Sequence, residues 1–127
     1  MVSRPVNSDA APQSIGGYAQ AVEVTGSKRR LYISGQVPLR RDGTVPETFG
    51  EQASQTWANV LAQLDAAQMP ADNLVKVTIF LSDRKYAMEN REARKTALGN
   101  RDYALTVIIA GFFDPSWLLE IEAIAED

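Results

Sequence analysis

Two glutamates, Glu120 and Glu122, lie within the otherwise apolar segment 117–125, which reads WLLEIEAIA. They are two positions apart, so on a β-strand their side chains project from the same face. Paired carboxylates are suited to general acid–base chemistry. The chain has no histidine and no cysteine, which excludes histidine-assisted nucleophiles, thiolate catalysis and metal sites built from these residues. Acid–base chemistry near neutral pH would therefore use Glu, Lys or Tyr.

The length and composition of the chain bound the class of protein. A chain of 127 residues predicts a single domain spanning residues 1–127. The net charge of −3 argues against nucleic acid as the main partner. The absence of cysteine, of a signal-peptide core and of a segment with the roughly 20 apolar residues needed to cross a bilayer predicts a cytoplasmic protein without a membrane partner.

Hydrophobic patterning predicts the element order β-β-α-β-α-β-β after an irregular N-terminal arm over residues 1–12. The predicted strands cover residues 18–24, 30–37, 73–82, 104–111 and 117–125. The turn-forming segment TGSK, residues 25–28, predicts that the first two strands form a hairpin.

Two helices are predicted between the strands. Thr48 and Glu51 have the spacing of a capping box at the start of the first helix, and Met69-Pro70 marks its end. Asp83 is the predicted cap of a second helix over residues 84–98, which Gly99 terminates. The result is an α/β (α+β) fold in which two helices cover one face of a mixed sheet.

The face of the sheet without helices raises a difficulty, because strands 73–82 and 117–125 carry apolar residues on both sides. An exposed face of this kind would form a large apolar patch. We therefore expect oligomerisation through it. The alternation places Glu120 and Glu122 on this face, near a subunit interface, with Lys76 as the expected ion-pair partner of Glu122.

Four segments together resemble the RidA/YjgF family of reactive-intermediate deaminases, also labelled endoribonuclease L-PSP. They are SIGGYAQAV (14–22), LYISGQVPL (31–39), NLVKVTIFLSD (73–83) and LLEIEAIA (118–125). The resemblance implies a chorismate-mutase-like (YjgF-like) fold and a homotrimer with ligand clefts between subunits. It also implies hydrolysis of enamines and imines released by pyridoxal-phosphate enzymes, which yields 2-keto acids and ammonia without a cofactor.

The resemblance also implies site residues. Tyr18 matches a cleft tyrosine, Ser34 and Gly35 match a strand end whose backbone contacts the ligand, and Glu120 matches the acid that positions or activates water. Two structural readings stay open beside these. Tyr18 is also explained as a packed aromatic residue, and Ser34-Gly35 as a β-bulge, which glycine within a strand often marks.

Leu105 departs from the family pattern, because the deaminating subgroup has an arginine at this position that holds the substrate carboxylate in a bidentate fork. Losing such a contact costs about 1.5–3 kcal/mol, or roughly a factor of ten to a hundred in affinity. With Val107 two residues later on the same strand, Leu105 predicts an apolar cleft wall and a ligand less anionic than a 2-imino acid.

Arg91 is a possible replacement for the missing arginine, since an ungapped comparison places it where the family often has a cleft asparagine. The alternative is that Arg91, like Arg84 and Arg94, belongs to the solvated face of the second helix. Arg84 and Arg94 are assigned to that solvated face, and Arg91 is left open.

These observations predict a homotrimer with clefts between subunits that bind or hydrolyse a small enamine, imine or related carbonyl compound other than the standard 2-imino acid. A non-catalytic, metabolite-binding regulatory trimer is the alternative. The basic clusters SKRR (27–30) and LRR (39–41) raise a third possibility, an endoribonuclease. Neither cluster has the interleaved aromatic residues that stack on bases, so nucleic acid is not an expected partner.

Overall fold

A computed structural model describes residues 1–127 as two helices packed on one face of a four-stranded sheet, with a two-stranded sheet beside it. The strands are β1 (Val2–Val6), β2 (Ala21–Thr25), β3 (Arg30–Gln36), β4 (Leu74–Leu81), β5 (Ala104–Ile109) and β6 (Leu119–Glu126), and the helices are α1 (Phe49–Ala66) and α2 (Ala87–Leu98). The larger sheet has the order β3-β6-β4-β5, in which only β4 and β5 run parallel. The predicted α+β class is confirmed.

The N-terminal region differs from the prediction in two ways. The predicted irregular arm contains strand β1, which pairs antiparallel with β2. The predicted hairpin of the second and third strands is wrong, because β3 pairs with β6 instead. The amides of Lys28 and Arg29 donate to the carbonyl oxygen of Asp127 at 2.6 and 3.2 Å. These bonds attach the turn after β2 to the end of β6 and so direct β3 to a different partner.

Helix α1 begins where the sequence predicts. Thr48 is its N-cap, and its hydroxyl accepts a hydrogen bond from the amide of Glu51 at 3.2 Å and donates one to the Glu51 carboxylate at 2.9 Å. The face of α1 that packs on the sheet is formed by Phe49, Ala53, Trp57, Val60 and Leu64. This face gives the sheet most of its apolar cover.

Helix α2 follows a short 3₁₀ turn, Arg84–Tyr86, in which the amide of Lys85 donates to Asp83 Oδ1 at 2.9 Å. The Tyr86 ring stacks on Phe49 with centroids 4.5 Å apart, which joins the starts of the two helices. Gly99 ends α2 with a φ of 61°, a value that glycine adopts without strain. Neither helix is long and apolar enough to cross a lipid bilayer.

The covered face of the sheet is formed by alternate residues, among them Val77 and Ile79 on β4 and Ile121 and Ala123 on β6. One residue departs from the predicted alternation. Leu74 lies opposite the buried Ala125 because the pairing of β4 with β6 shifts register between Leu74 and Lys76. Such a bulge adds one residue to a strand, so the alternation of side chains between the two faces of the sheet is out of phase before and after it.

The helix-free face combines apolar and polar side chains. It carries the exposed Tyr32 and Ile108 among several hydroxyl and charged side chains. Lys76 lies on this face, but its Nζ donates to Thr106 Oγ1 at 2.6 Å. The predicted ion pair of Lys76 with Glu122 is wrong, because the register places Lys76 opposite Ile124 on β6. Glu122 is exposed and forms no ion pair.

Candidate functional site

A cavity of about 240 Å³ lies between α2, the edge strand β5 and the loop before β2. It is lined by Leu81, Leu105 and Val107 from the sheet, by Ala87, Asn90, Arg91 and Arg94 from α2, and by Ile15 and Tyr18 from the loop. The structure therefore brings together Tyr18, Arg91, Leu105 and Val107, which are four of the predicted cleft residues.

The parallel pairing of β4 and β5 explains why the sheet side of this cavity is apolar. Leu105 lies opposite Val77 and Val107 opposite Ile79, and both β4 residues are completely buried beneath the helices. Residues that pair across neighbouring strands share a face. Leu105 and Val107 therefore point toward α2, and together with Leu81 they form a hydrocarbon wall.

Arg94 is buried, with only 3% of its surface exposed, so its assignment to the solvated face of α2 is wrong. Its Nη1 donates to Tyr103 Oη at 2.8 Å and to the Gly17 carbonyl at 3.3 Å, and its Nη2 donates to the Gly16 carbonyl at 3.3 Å. The guanidinium carbon also lies 5.7 Å from the centroid of the Tyr18 ring. Arg94 thus holds the loop that carries Tyr18 against α2.

This loop requires glycine at two consecutive positions. Gly16 and Gly17 have φ angles of 80° and 76°, in the left-handed region that other residues rarely adopt. The resulting turn presents two carbonyl oxygens to the guanidinium of Arg94. The sequence GGY therefore places Tyr18 at the cavity through backbone conformation as well as through packing.

Asn90 is a cavity residue that the sequence reasoning missed. Its side chain is buried, and its Oδ1 accepts no hydrogen bond from the protein, so this oxygen is available to a ligand donor. The ungapped comparison placed the exposed Arg91 at the expected asparagine position, and a gap of one residue would have selected Asn90. The spacing of Asn90, Arg94 and Leu98, which places them on one face of α2, was the available signal.

Glu120 lies on the opposite face of the sheet from the cavity. Its register partner on β4 is Phe80, whereas the cavity wall continues from Val77 and Ile79. Glu120 is half-buried and its carboxylate rests directly on Gly35 of β3. A Cβ atom at residue 35 would overlap Glu120 Oε2 and lie 2.8 Å from its Cδ, so only glycine leaves room for the carboxylate.

The Ser34-Gly35 segment contains the irregularity that one of its two readings predicted. The pairing of β3 with β6 shifts register between Ile33 and Gln36, and Gln36 Nε2 donates to the Ser34 carbonyl at 2.9 Å. The bulge reading is thus confirmed. The contact between this strand end and a ligand stays a prediction.

The predicted site residues therefore fall into two groups within one chain. Tyr18, Arg91, Leu105 and Val107 surround the cavity on the helix side of the sheet. Ser34, Gly35 and Glu120 lie together near the other face. A site that uses both groups has to combine residues of two chains.

A larger concavity of about 640 Å³ separates α1 from α2 on the outer surface. It is a groove whose wall includes Trp57, Leu61 and Met88 beside Glu89 and Glu92. None of the predicted site residues contributes to it. The smaller cavity is the candidate functional site, because polar groups converge there on an apolar wall.

Comparison with known proteins identifies the family of the chain. The model of the family Endoribonuclease L-PSP matches residues 8–127. A RutC family protein of Aquifex aeolicus is 41% identical over 90 residues, which cover 70% of each chain. The 2-iminobutanoate/2-iminopropanoate deaminase of Escherichia coli K12 is 34% identical over 83 residues, which cover 65% of this chain and 62% of that enzyme.

Solved structures give the same result for the whole chain. YyfB of Yersinia pestis, a protein of unknown function in the conserved Rid family, superposes with a TM-score of 0.88 at 25% identity and full coverage of both chains. Escherichia coli TdcF, solved with bound serine, superposes with a TM-score of 0.72 at 27% identity over 98% of each chain. The expected YjgF-like fold is confirmed, and the chain belongs to the RidA/YjgF family, whose family model is described as Endoribonuclease L-PSP.

Proposed function

We propose that the protein is a Rid-type deaminase that hydrolyses small enamines or imines in clefts between the subunits of a homotrimer. The observation that carries this proposal is the division of the predicted site. The cavity that contains Tyr18 and Leu105 faces the helices, and Glu120 projects from the helix-free face. An acid on that face is available to the cavity of a second copy of the chain.

The chemistry assigned to Glu120 is activation of water. The water oxygen forms a bond with the imine carbon while the Glu120 carboxylate accepts a proton from the water. Transfer of this proton to the substrate nitrogen prepares the carbon–nitrogen bond for cleavage. Glu120 then carries the proton of the new hydroxyl group to the same nitrogen, the carbon–nitrogen bond breaks, ammonia leaves, and the carbon–oxygen double bond of the carbonyl product forms. Gly35 supports this role because the absence of a side chain leaves space for the Glu120 carboxylate beside β3.

The ligand side of the proposal rests on the cavity. A volume of about 240 Å³ suits a metabolite of a few heavy atoms and is below the range of drug-sized pockets. Leu105 offers no arginine fork on β5. Taken alone, this substitution predicts that 2-iminobutanoate is hydrolysed roughly ten to a hundred times less efficiently than by the Escherichia coli deaminase, the loss that corresponds to one charge-assisted contact.

The test of this function is an assay that generates 2-iminobutanoate in solution and follows its loss against the rate in buffer alone. Glu120→Gln should abolish the added rate, because the amide cannot accept a proton from water. Glu122→Gln is the matched control, since Glu122 lies on the same strand and face but is exposed, and this variant should keep the rate. Turnover that survives Glu120→Gln would contradict the mechanism.

Two other functions would give different results in the same experiments. A non-catalytic binding protein would turn over no imine, although small ligands would still raise its melting temperature. A ribonuclease would cleave RNA in a nuclease-free preparation. We expect no cleavage, because Arg29 and Arg30 of the first basic cluster pair with Asp127 and Glu126 at the end of β6.

A further inference from the structure

We propose that Arg91, supported by Arg94, forms an anion-binding subsite on the α2 wall of the cavity, and that this subsite takes the carboxylate of a small aliphatic acid. The inference rests on the proposed function for the cavity as the ligand site. It reverses what Leu105 alone predicts, which is a ligand without this charge.

The charges around the cavity are all of one sign. Its lining includes Arg91 and Arg94 but no acidic residue, although the whole chain has a net charge of −3. The four ion pairs of the structure engage Arg4, Arg29, Arg30 and Arg101. The two cavity arginines are therefore without a counter-ion in the chain, and the cavity is positively charged.

Arg94 carries a permanent charge into a nearly completely buried position. Each of its hydrogen bonds goes to a neutral oxygen, namely the carbonyls of Gly16 and Gly17 and the hydroxyl of Tyr103. A buried charge without an opposite charge is unfavourable. An anion bound in the cavity would compensate this charge, so the cavity should bind anionic ligands more tightly than neutral ones.

Arg91 is the arginine positioned to contact the ligand directly. Its side chain is exposed, lines the cavity and forms no hydrogen bond or ion pair within the chain. Its guanidinium fork matches the geometry of a carboxylate. Arg94 is engaged by the loop and acts mainly through its charge and by holding Tyr18.

The opposite wall defines the rest of the ligand. Leu81, Leu105 and Val107 offer hydrocarbon to whatever enters. A ligand with a carboxylate at one end and a short alkyl chain at the other would satisfy both walls. The structure thus favours short-chain 2-oxo acids and their imines over inorganic anions, which have no part to place against β5.

The test compares two probes of nearly equal shape, 2-oxobutanoate and its neutral amide, titrated into the intact protein by calorimetry. We expect the carboxylate to bind at least about tenfold more tightly. Extending the alkyl chain by one methylene should strengthen binding by about fourfold if it reaches the hydrocarbon wall. Inorganic phosphate should bind more weakly than 2-oxobutanoate.

Variants identify the residue responsible. Arg91→Gln should weaken 2-oxobutanoate binding by about ten- to a hundredfold and leave the affinity of the amide unchanged. Arg84→Gln is the matched control, because Arg84 is exposed and lies outside the cavity lining. Arg94→Gln should also weaken the binding of 2-oxobutanoate, but it removes hydrogen bonds that support the fold. Arg91→Gln is therefore the decisive variant, because it removes no hydrogen bond or ion pair within the chain.

Several results would overturn the subsite. They are equal affinity for the acid and the amide, no binding of either probe, phosphate binding as tight as 2-oxobutanoate, or the same loss in Arg84→Gln as in Arg91→Gln. The catalytic proposal fails separately. A protein that turns over no imine but prefers the acid over the amide retains the subsite, and one that turns over imines without this preference lacks it.

Discussion

Glu120 occupies its position because residue 35 has no side chain. The carboxylate of Glu120 fills the space in which a Cβ atom of residue 35 would lie. The backbone of Gly35 is not in the left-handed region, so conformational freedom does not explain the glycine. Close approach of another group is the other reason for glycine in a strand, and here that group is the proposed catalytic acid.

Gly35→Ala should therefore impair activity without unfolding the protein. The added methyl group displaces the end of a flexible, half-buried side chain, so we expect the free energy of unfolding to change by less than about 1 kcal/mol. Imine hydrolysis should fall by at least about tenfold, because the proton acceptor no longer lies where the attacking water needs it. Kinetic assay and chemical denaturation of the same preparation measure both effects.

The matched control for this change is Gly111→Ala, since a Cβ atom at Gly111 meets nothing within 4 Å and the backbone there is not left-handed. Its activity should equal that of the parent protein. Equal activity in Gly35→Ala and Gly111→Ala would show that the contact with Glu120 has no catalytic consequence.

The residue patterns in the sequence predicted one part of the site and not the other. Alternation along β6 was enough to place Glu120 and Glu122 on the face away from Ile121 and Ala123. Arg94 was assigned to solvent because polar residues on a helix usually mark its exposed face. Its burial depends on the carbonyls of Gly16 and Gly17, which reach α2 only in the folded chain.

The stability of helix α1 depends on its N-cap. Thr48→Ala removes the hydroxyl that accepts a hydrogen bond from the Glu51 amide. Loss of an N-cap side chain typically lowers the free energy of unfolding by about 1 kcal/mol. We expect the free energy of unfolding to fall by about this amount in urea denaturation, with unchanged catalytic activity because α1 does not line the cavity. Ser54→Ala, an exposed change within the same helix, should not destabilise the protein, and an equal loss there would contradict the capping role.

The sequence predicted most elements but not all of their partners. Hydrophobic alternation and cap residues are local, and they located both helices and the strands that became β2 to β6. The pairing of β3 with β6 joins residues about ninety positions apart, and no local pattern specifies it. Strand β1 was missed because four of its five residues are exposed and it contains Pro5, which together resemble a loop.

The helix-free face of the sheet is the expected subunit interface. Ile108 lies on this face and is 45% exposed. Met88, on α2, is 68% exposed and serves as the comparison. If the trimer forms through the helix-free face, Ile108→Lys should dissociate it while Met88→Lys should not, because a charge buried without a partner is costly. Light scattering measures the mass, and circular dichroism should show both variants folded. A parent protein with the mass of one chain would contradict the assembly.

The division of the site between chains makes a second prediction about the assembly. Glu120→Gln removes the proposed acid, and Val107→Trp places a bulky ring in the cavity wall. Each variant alone should be inactive. If Glu120 of one subunit serves the cavity of another, trimers can be refolded from an equal mixture of the two variants. About a quarter of their sites should then combine an intact Glu120 with an intact cavity, as expected for random association around a symmetric ring.

Recovery of activity in the mixture is specific to a shared site. If Glu120 served the cavity of its own chain, each chain in the mixture would still carry one defect, and no active site could form in any arrangement. Mixing the two variants without unfolding is the control for exchange of subunits. Because the chain itself places Glu120 and the cavity on opposite faces of one sheet, we expect activity only after the subunits have been exchanged, and a mixture that stays inactive after complete refolding would contradict catalysis between chains.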